Sequence, residues 1–427
     1  MSAIRSINIK TLSDVFDSIG SLELVKLLQG LPLAINQAGS YMRETGTTVS
    51  KYIDSYNHKW KKLMKDQNYF TLRESADRSV LTTWTVSFDH LREQNEDAAN
   101  FLKLWAFLDN QDLWYELLTP SLHHEIFDEV PGWFVRCASD ELDFKKCMGL
   151  LSKYSFINTK FESSSFFMHS VLHHWCLHAF EKENAIMSWL AVVVVVSAVP
   201  SQTMPDYSLL QRRLLPHCDR VFSLLEQSIQ ETFNYKVDIP SVSAACHRLG
   251  DLYSDQGKMK EAEDMYLRAL TGSEKAWGPV HTSTLDIINN LGILYEIQGK
   301  MKEAEDMYLR ALTGKEKAWG PAHTSTLNTV NNLGNLYKNQ GKMKEAGHMY
   351  LRALTGFEQA WGSGHKTPID VRCNLAFLYK KMAMFKDAAK HFELVVQGYT
   401  KILGSDHWKT VDASNQLKSC EVLNEHP

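Results

Sequence analysis

One stretch of this chain recurs, and its recurrence limits the fold more than any other feature. Residues 257–272, Gly-Lys-Met-Lys-Glu-Ala-Glu-Asp-Met-Tyr-Leu-Arg-Ala-Leu-Thr-Gly, return unchanged at 299–314. They return again at 341–356 with only Gly347 and His348 altered. The offset is 42 residues each time, and it keeps Leu249, Leu291, Leu333 and Leu375 in register, with Tyr253, Tyr295, Tyr337 and Tyr379. A fixed period of this size means stacked supersecondary units, none of which can bury its apolar face alone.

The period does not name the unit, because HEAT repeats and β-propeller blades run at roughly 40–47 residues too. The pattern inside it does. Leu285, Ile288, Leu291 and Tyr295 fall at helical spacing, and so do Met301, Ala304, Met307, Tyr308, Ala311 and Leu312. Gly299 lies between the two sets, where a helix end takes a left-handed residue. Neither half alternates with period two, so a blade is rejected and each unit reads as a helix–turn–helix. Gly250, Gly292, Gly334 and Ala376 sit mid-helix, where glycine costs ~1 kcal/mol against alanine. Close approach of the paired helices is the expected reason.

Leu291-Gly292-x-x-Tyr295, then Ala304-x-x-x-Tyr308 and Ala311, resemble the tetratricopeptide repeat. The usual length is about 34 residues. The extra length falls around 313–323, with Trp319-Gly320-Pro321-x-His323 at the turn, and this form is similar to the repeats of kinesin light chains. The resemblance covers 241–423 and implies an α-solenoid. Trp277, Trp319 and Trp361 are expected to plug between successive units. His281, His323, His365 and His407 are read as turn residues, since a solenoid spaces them too far apart to share a metal. Thr282 and Thr324 are expected to cap the helices that follow. The fourth unit departs from the pattern, with Ala383 for the turn glycine and Leu403 for the tryptophan, as terminal repeats do.

Asn290, Asn332 and Asn374 each precede a packed leucine, and Asn289 and Asn331 precede two of these asparagines. A residue next to a core position lies about 100° around the helix, at the rim of the packed face. Asn290, Asn332 and Asn374 are therefore expected to line a concave groove, where an amide can bond the backbone of an extended protein or peptide ligand. Preservation by copying alone is the competing reading. Arg248 takes this place in the first unit.

Composition sets bounds. The net charge of −4 argues against a general nucleic-acid binder, which needs a basic face. The seven cysteines are scattered without a C-x-x-C pair, so neither a disulfide framework nor a zinc ribbon is suggested. Residues 1–8 lack the apolar run of a signal peptide. The longest apolar run, 189–199, falls short of the ~20 residues a membrane span takes, and it reads as a buried helix or strand. No membrane role is expected, and cytoplasm is the default compartment.

The N-terminal half reads as helical at first. Leu24, Leu27 and Leu28 precede Gly30, and Pro32 opens a helix carrying Ile35, Ala38 and Met42 on one face. The segment 81–91 precedes a helix with Ala98, Phe101, Leu102, Leu104 and Trp105. A loop with Pro131, a helix near 142–151 and short β candidates at 156–158 and 165–167 follow. That order is the order of a winged helix. Gly30-Leu31-Pro32-Leu33-Ala34 resembles the GLPLA motif of NB-ARC nucleotide switches, and Met168-His169-Ser170 resembles their MHD motif, with serine in place of aspartate. Taken in order, the chain resembles the C-terminal part of a fungal-type NB-ARC/tetratricopeptide NOD-like receptor of the STAND class. The resemblance implies that Pro32 packs near an adenine and that His169 approaches ADP phosphates.

No G-x-x-x-x-G-K-[ST] occurs. Gly257-Lys258 and its copies are followed by methionine and open repeat helices. Without that loop phosphoryl transfer has no machinery, so both nucleotide contacts are read as vestigial. No cofactor is expected, with ADP or ATP only if an upstream P-loop domain exists. The chain starts where such a core would end, as a truncated gene model or a natural fragment. His169, His173, His174 and His178 share a helix but lack the glutamate of H-E-x-x-H and a third ligand, so no metal is expected. The helix near 142–151 offers only Lys145 and Lys146, too little charge to read DNA.

The expected architecture is mainly α: a helical ARC1-like segment at 1–75, a winged-helix-like domain at 76–185, a helical connector at 186–240 that caps the first repeat, and the repeat solenoid at 241–423. The function this implies is a non-enzymatic interaction and regulatory chain, the sensor and switch-coupling half of a receptor, open to self-association as part of a larger receptor. A kinesin-light-chain-like cargo or scaffold adaptor is the rival, although that family carries a coiled coil ahead of its repeats and 1–240 sustain no heptads.

Overall fold

The computed structural model describes residues 19–65, 75–123, 130–160, 162–179, 184–201, 204–230 and 239–425. Residues 1–8 and the side chain of His178, both read above, lie outside the described residues. The chain divides into two compact units, Met1–Lys236 and Val237–Pro427.

The N-terminal unit begins with α1 (Ile19–Leu27), α2 (Pro32–Thr45), α3 (Val49–Lys65), α4 (Ser75–Gln94) and α5 (Glu96–Trp105). Gln29 and Gly30 both take positive φ, and the Gly30 N–H closes on Val25 O at 2.9 Å, which ends α1. Pro32 then stands at the start of α2. Leu24, Leu28, Ala34, Ala38, Tyr52, Tyr56 and Val86 meet in one apolar cluster. After two short 3₁₀ turns come α6 (Gly132–Ser139) and α7 (Glu141–Lys153), the latter capped by Asp140 Oδ1, which accepts from Leu142 N at 2.7 Å. The hairpin β1 (Asn158–Lys160) and β2 (Ser165–Phe167) pairs Thr159 with Phe166, so the first strand lies two residues later than the pattern suggests.

The unit closes with α8 (Ser170–Ala179), α9 (Asn184–Ser197) and α10 (Tyr207–Gln230). Helix α9 is buried at every position from 190 to 196, which resolves the apolar run as a core helix. No helix among the described residues is long and apolar enough to cross a membrane.

The loop 106–114 is the knot of this unit. Leu113 and Phe166 exchange two backbone hydrogen bonds of 2.9 Å, and Met168 N donates to Asn110 O at 2.8 Å. Arg213 donates to Asp112 at 2.8 and 3.2 Å and lies 3.9 Å over the Trp114 ring.

The C-terminal unit is a stack of helix pairs, A then B: α11 (Ile239–Asp255) with α12 (Met259–Trp277), α13 (Thr282–Ile297) with α14 (Met301–Trp319), α15 (Thr324–Asn339) with α16 (Met343–Trp361), and α17 (Lys366–Lys381) with α18 (Phe385–Leu403). A final helix, α19 (Trp408–Glu425), occupies the A position of a fifth unit. Gly257, Gly299 and Gly341 turn A into B at φ of 75–81°. Ala383 keeps the left-handed turn at φ 58°, and Met384 N still closes on Tyr379 O at 2.9 Å. The packing outweighs the usual penalty of a side chain there.

Two reciprocal contacts lock each pair. A Cβ on Gly250, Gly292 or Gly334 would lie 2.6, 2.7 or 2.8 Å from Cδ1 of Tyr266, Tyr308 or Tyr350, so only glycine admits the ring of the facing B helix. In return Gly314, Gly356 and Gly398 on the B helices admit Leu285, Leu327 and Ile369 of the A helices. The fourth pair puts Ala376 where the others have glycine, and the facing ring there is Phe392, fully buried and without a hydroxyl.

Neighbouring pairs are tied by charge. Glu263 accepts from Lys300 at 2.9 Å and Gln298 at 3.0 Å, and Glu305 accepts from Lys342 at 3.0 Å and Gln340 at 3.0 Å. The junction of the third and fourth pairs replaces this clamp with Gly347, Met382 and Met384, and Met382 packs against the cluster of Leu354, Phe357, Leu375 and Leu378.

Trp277, Trp319 and Trp361 do not plug between units. Trp277 and Trp361 are 39 % and 42 % exposed, and Trp319 is half-buried. Each ring lies against the turn histidine, His281, His323 or His365, at 4.8, 5.0 and 4.8 Å. The turn places the tryptophan at the last position of its B helix, beyond the packed stripe. The expected threonine caps are corrected as well. Nδ1 of His281, His323 and His365 accepts from Ser283, Ser325 and Thr367 N at 3.2–3.3 Å, so the histidine is the N-cap. Thr282 and Thr324 are instead the first helical residues.

Gly292→Ala is expected to destabilise the stack: overpacking costs about 1–3 kcal/mol, only partly offset by the ~1 kcal/mol alanine gains in a helix. Adding Tyr308→Phe, which frees the ring from its bond to Glu296, is expected to recover part of the loss. A urea midpoint for Gly292→Ala at or above the parent's would show that the ring yields without cost. Trp319→Ala is expected to cost about 0.5–2 kcal/mol, the scale of a lost cap. A loss of about 3–5 kcal/mol, typical of a buried large-to-small change, would contradict its half-exposed setting.

Candidate functional site

Adjacent A helices approach each other more closely than adjacent B helices. The polar face that successive A helices share is the candidate groove. Asn290, Asn332 and Asn374 lie on this face, each half-buried. They are partly engaged within the stack. Asn290 Nδ2 donates to Asp251 Oδ1 at 3.0 Å and to His247 Nε2 at 3.1 Å, which uses both of its N–H groups. Asn332 Nδ2 reaches Asn289 Oδ1 at 3.4 Å, and Asn374 Nδ2 reaches Asn331 Oδ1 at 3.4 Å. Each asparagine thus bridges to the A helix before it. By the amide inventory, Asn332 and Asn374 keep one N–H and the carbonyl oxygen.

Sequence reasoning missed the charged part of this face. Asp251 Oδ1 also accepts from Tyr266 OH at 2.7 Å. Glu296 accepts from Tyr308 OH at 3.1 Å and from Asn339 Nδ2 at 2.7 Å. Burial pushes the Glu296 carboxyl up, and burial first, then the Lys381 ammonium, push the Lys338 amine down. Lys380 Nζ donates to Gln416 Oε1 at 2.7 Å and Ser419 Oγ at 3.0 Å. These positions vary from unit to unit, so periodicity gave no signal for them.

The tetratricopeptide repeat family profile matches residues 241–317 and 325–401. The C-terminal unit is a tetratricopeptide-repeat stack. A nucleotide-binding leucine-rich repeat (NLR)-like protein of Hyaloscypha variabilis is 26 % identical over 287 residues, which cover 62 % of this chain. The chain spans about a quarter (25 %) of the length of that relative. Among solved structures, putative kinesin light chain repeats from Podosopora anserina overlay at a TM-score of 0.40 with 22 % identity, over 44 % of this chain and 89 % of theirs. A STAND protein with a tetratricopeptide repeat sensor from Pyrococcus horikoshii overlays at 0.39 with 13 % identity, over 91 % of this chain and 62 % of its own.

In the N-terminal unit, Pro32 is exposed at the first turn of α2. His169 is exposed too, and its Nδ1 accepts from Val171 N at 3.3 Å at the start of α8. His173 does not join it in a metal-ready pair: its Nε2 lies 2.9 Å from Leu108 O and 3.2 Å from Trp105 O. A cleft of about 560 Å³ is walled by Trp114, Tyr115, Phe144 and Phe166. Two of its rim cations are paired within the chain, Lys145 with Glu141 at 2.7 Å and Arg213 with Asp112 at 2.8 Å.

His217 went unnoticed in the sequence, since a lone histidine on a helix carries no signal. It is fully buried, with Nδ1 accepting from Asp109 N at 3.1 Å and Nε2 placed 2.7 Å from Asp112 O, which fixes the neutral Nε2–H tautomer. Burial pushes both His217 and His173 below the ordinary histidine value of 6.5. Unfolded chain therefore takes up these protons first, so stability present above pH 6.5 is lost as the pH falls through and below it. The urea midpoint of the N-terminal unit is expected to drop between pH 7.5 and 5. His217→Gln should be less stable at pH 7.5 but show a shallower slope, and equal slopes in variant and parent would remove His217 from the account.

Proposed function

We propose that this chain is a non-enzymatic interaction and regulatory protein. Its repeats bind an extended segment of a partner protein along the A-helix groove. The N-terminal unit, with a winged-helix-like segment at 76–185, couples that binding to a nucleotide-type switch. The observation that carries the reading is the continuous polar strip on successive A helices, in which Asn332 and Asn374 keep an N–H and an oxygen for a peptide backbone. The similarity to an NLR-like protein supports the regulatory half. The nucleotide positions Pro32 and His169 are proposed as vestigial contacts, and the cytoplasm as the place of action.

The test is selection from a displayed peptide library on the full chain. Selected peptides are expected to bind Asn332→Ala/Asn374→Ala between about five- and a hundredfold more weakly, at ~0.5–1.5 kcal/mol for each hydrogen bond lost. Circular dichroism should show a folded variant, because each bridge it lacks is a single long amide contact. Equal affinity for both proteins would move the site off this face.

A further inference from the structure

The groove is not uniformly polar; its charge changes sign along the stack. The first A helix presents Asp251 and Asp255 and the second presents Glu296, whereas the third presents Lys338 and the fourth Lys380 and Lys381. These residues form one strip. Asp251 is bonded to Asn290 of the next helix, Glu296 to Asn339 of the next, and Lys338 lies within electrostatic reach of both Glu296 and Lys381. Some lysines elsewhere in the stack are paired: Lys300 with Glu263 at 2.9 Å, Lys342 with Glu305 at 3.0 Å, and buried Lys315 with Asp286 at 2.8 Å. Among the described residues Lys338, Lys380 and Lys381 make no such ion pair, and Lys380 is held only by the neutral Gln416 and Ser419. Arg248 is the one arginine at the acidic end; it is half-buried, with Asp251 in electrostatic reach.

Copying a unit would have left the same residue at each turn of the stack, as it did for the leucines and tyrosines. The position of Glu296 instead reads Ser254, Glu296, Lys338 and Lys380. At this position the units have diverged, whereas the buried Leu249, Leu291, Leu333 and Leu375 have stayed alike. The Lys381 ammonium repels that of Lys338, and a carboxylate brought in by a partner relieves both.

We propose that the groove selects a segment with two blocks of opposite charge, a basic block against the first two repeats and an acidic block against the last two. This rests on the groove reading above and names the partner chemistry of the same site.

The probes are synthetic peptides followed by fluorescence anisotropy on the full chain. One carries a lysine block, a Gly-Ser spacer and a glutamate block, and its isomer has the same composition with the charges alternating. A third is wholly acidic and of equal length. At about 50 mM salt the block peptide is expected to bind roughly tenfold tighter than either control, since several exposed charge contacts of ~0.2–1 kcal/mol add up. The advantage should vanish near 1 M salt, where the screening length is about 3 Å. Lys381→Glu and Asp255→Lys, both at exposed positions, are each expected to weaken the block peptide about threefold and leave the alternating isomer unchanged. Equal binding of block and alternating peptides, or a wholly acidic peptide that binds as tightly as the block, would overturn the selectivity. Library peptides would still be captured in that case, and the groove reading would stand. If neither synthetic nor library peptides bind, both readings fall.

Discussion

The helix pair of the C-terminal stack depends on one steric exchange. In the second and third pairs the A helix gives up a side chain so that a B-helix tyrosine can enter, and the B helix gives up one so that an A-helix leucine can enter. Neither half is favourable alone, because a mid-helix glycine costs ~1 kcal/mol. Together they bring the two backbones close enough to bury Leu285, Leu291, Tyr308 and Ala311 in the second pair. The tyrosine hydroxyl then needs a partner, and the unit supplies a different one each time: Asp251 for Tyr266, Glu296 for Tyr308 and Asn335 for Tyr350. Where the hydroxyl is missing, at Phe392, the neighbour is Phe377 at 5.1 Å, edge to face, and an alanine is tolerated opposite. The packing and the groove are thus linked, since the groups that satisfy the buried rings are the same carboxylates and amides that face the groove.

The stack is less uniform than its sequence repetition implies. The first two junctions use the Glu–Lys–Gln clamp; the third has methionine and leucine packing in its place, beside an ion pair of Arg372 with Glu358. An exposed ion pair contributes little, typically under ~1 kcal/mol, whereas buried apolar area contributes steadily. At the end of the stack, Lys418 and Glu421 of α19 stand where Gly292 and Tyr295 stand in the second unit.

The N-terminal unit is organised around a loop rather than a helix pair. Residues 106–114 carry backbone groups that no regular element satisfies, and buried side chains from α8 and α10 complete them. His173 and His217 serve this purpose as neutral rings, which ties the unit's stability to pH. Pro32 and His169 are both on the surface of this unit.

The sequence by itself determined the periodicity, the helical character, the turn glycines and the need for small residues at Gly250, Gly292 and Gly334, because each follows from local spacing. It also placed Asn290, Asn332 and Asn374 beside the packed leucines, at the rim of the buried face, since rotation around a helix is a local property. It did not determine which side chains face each other across units. The tryptophans read as plugs because they are large and periodic, yet the turn carries them out of the packed stripe and onto the capping histidines. The asparagine donors read as available, yet adjacent A helices come close enough to use them. Ala383 read as decay, yet tertiary packing holds it in the left-handed turn. The sign change along the groove needed the stack itself, because residues 42 positions apart become neighbours only when the helices are laid side by side.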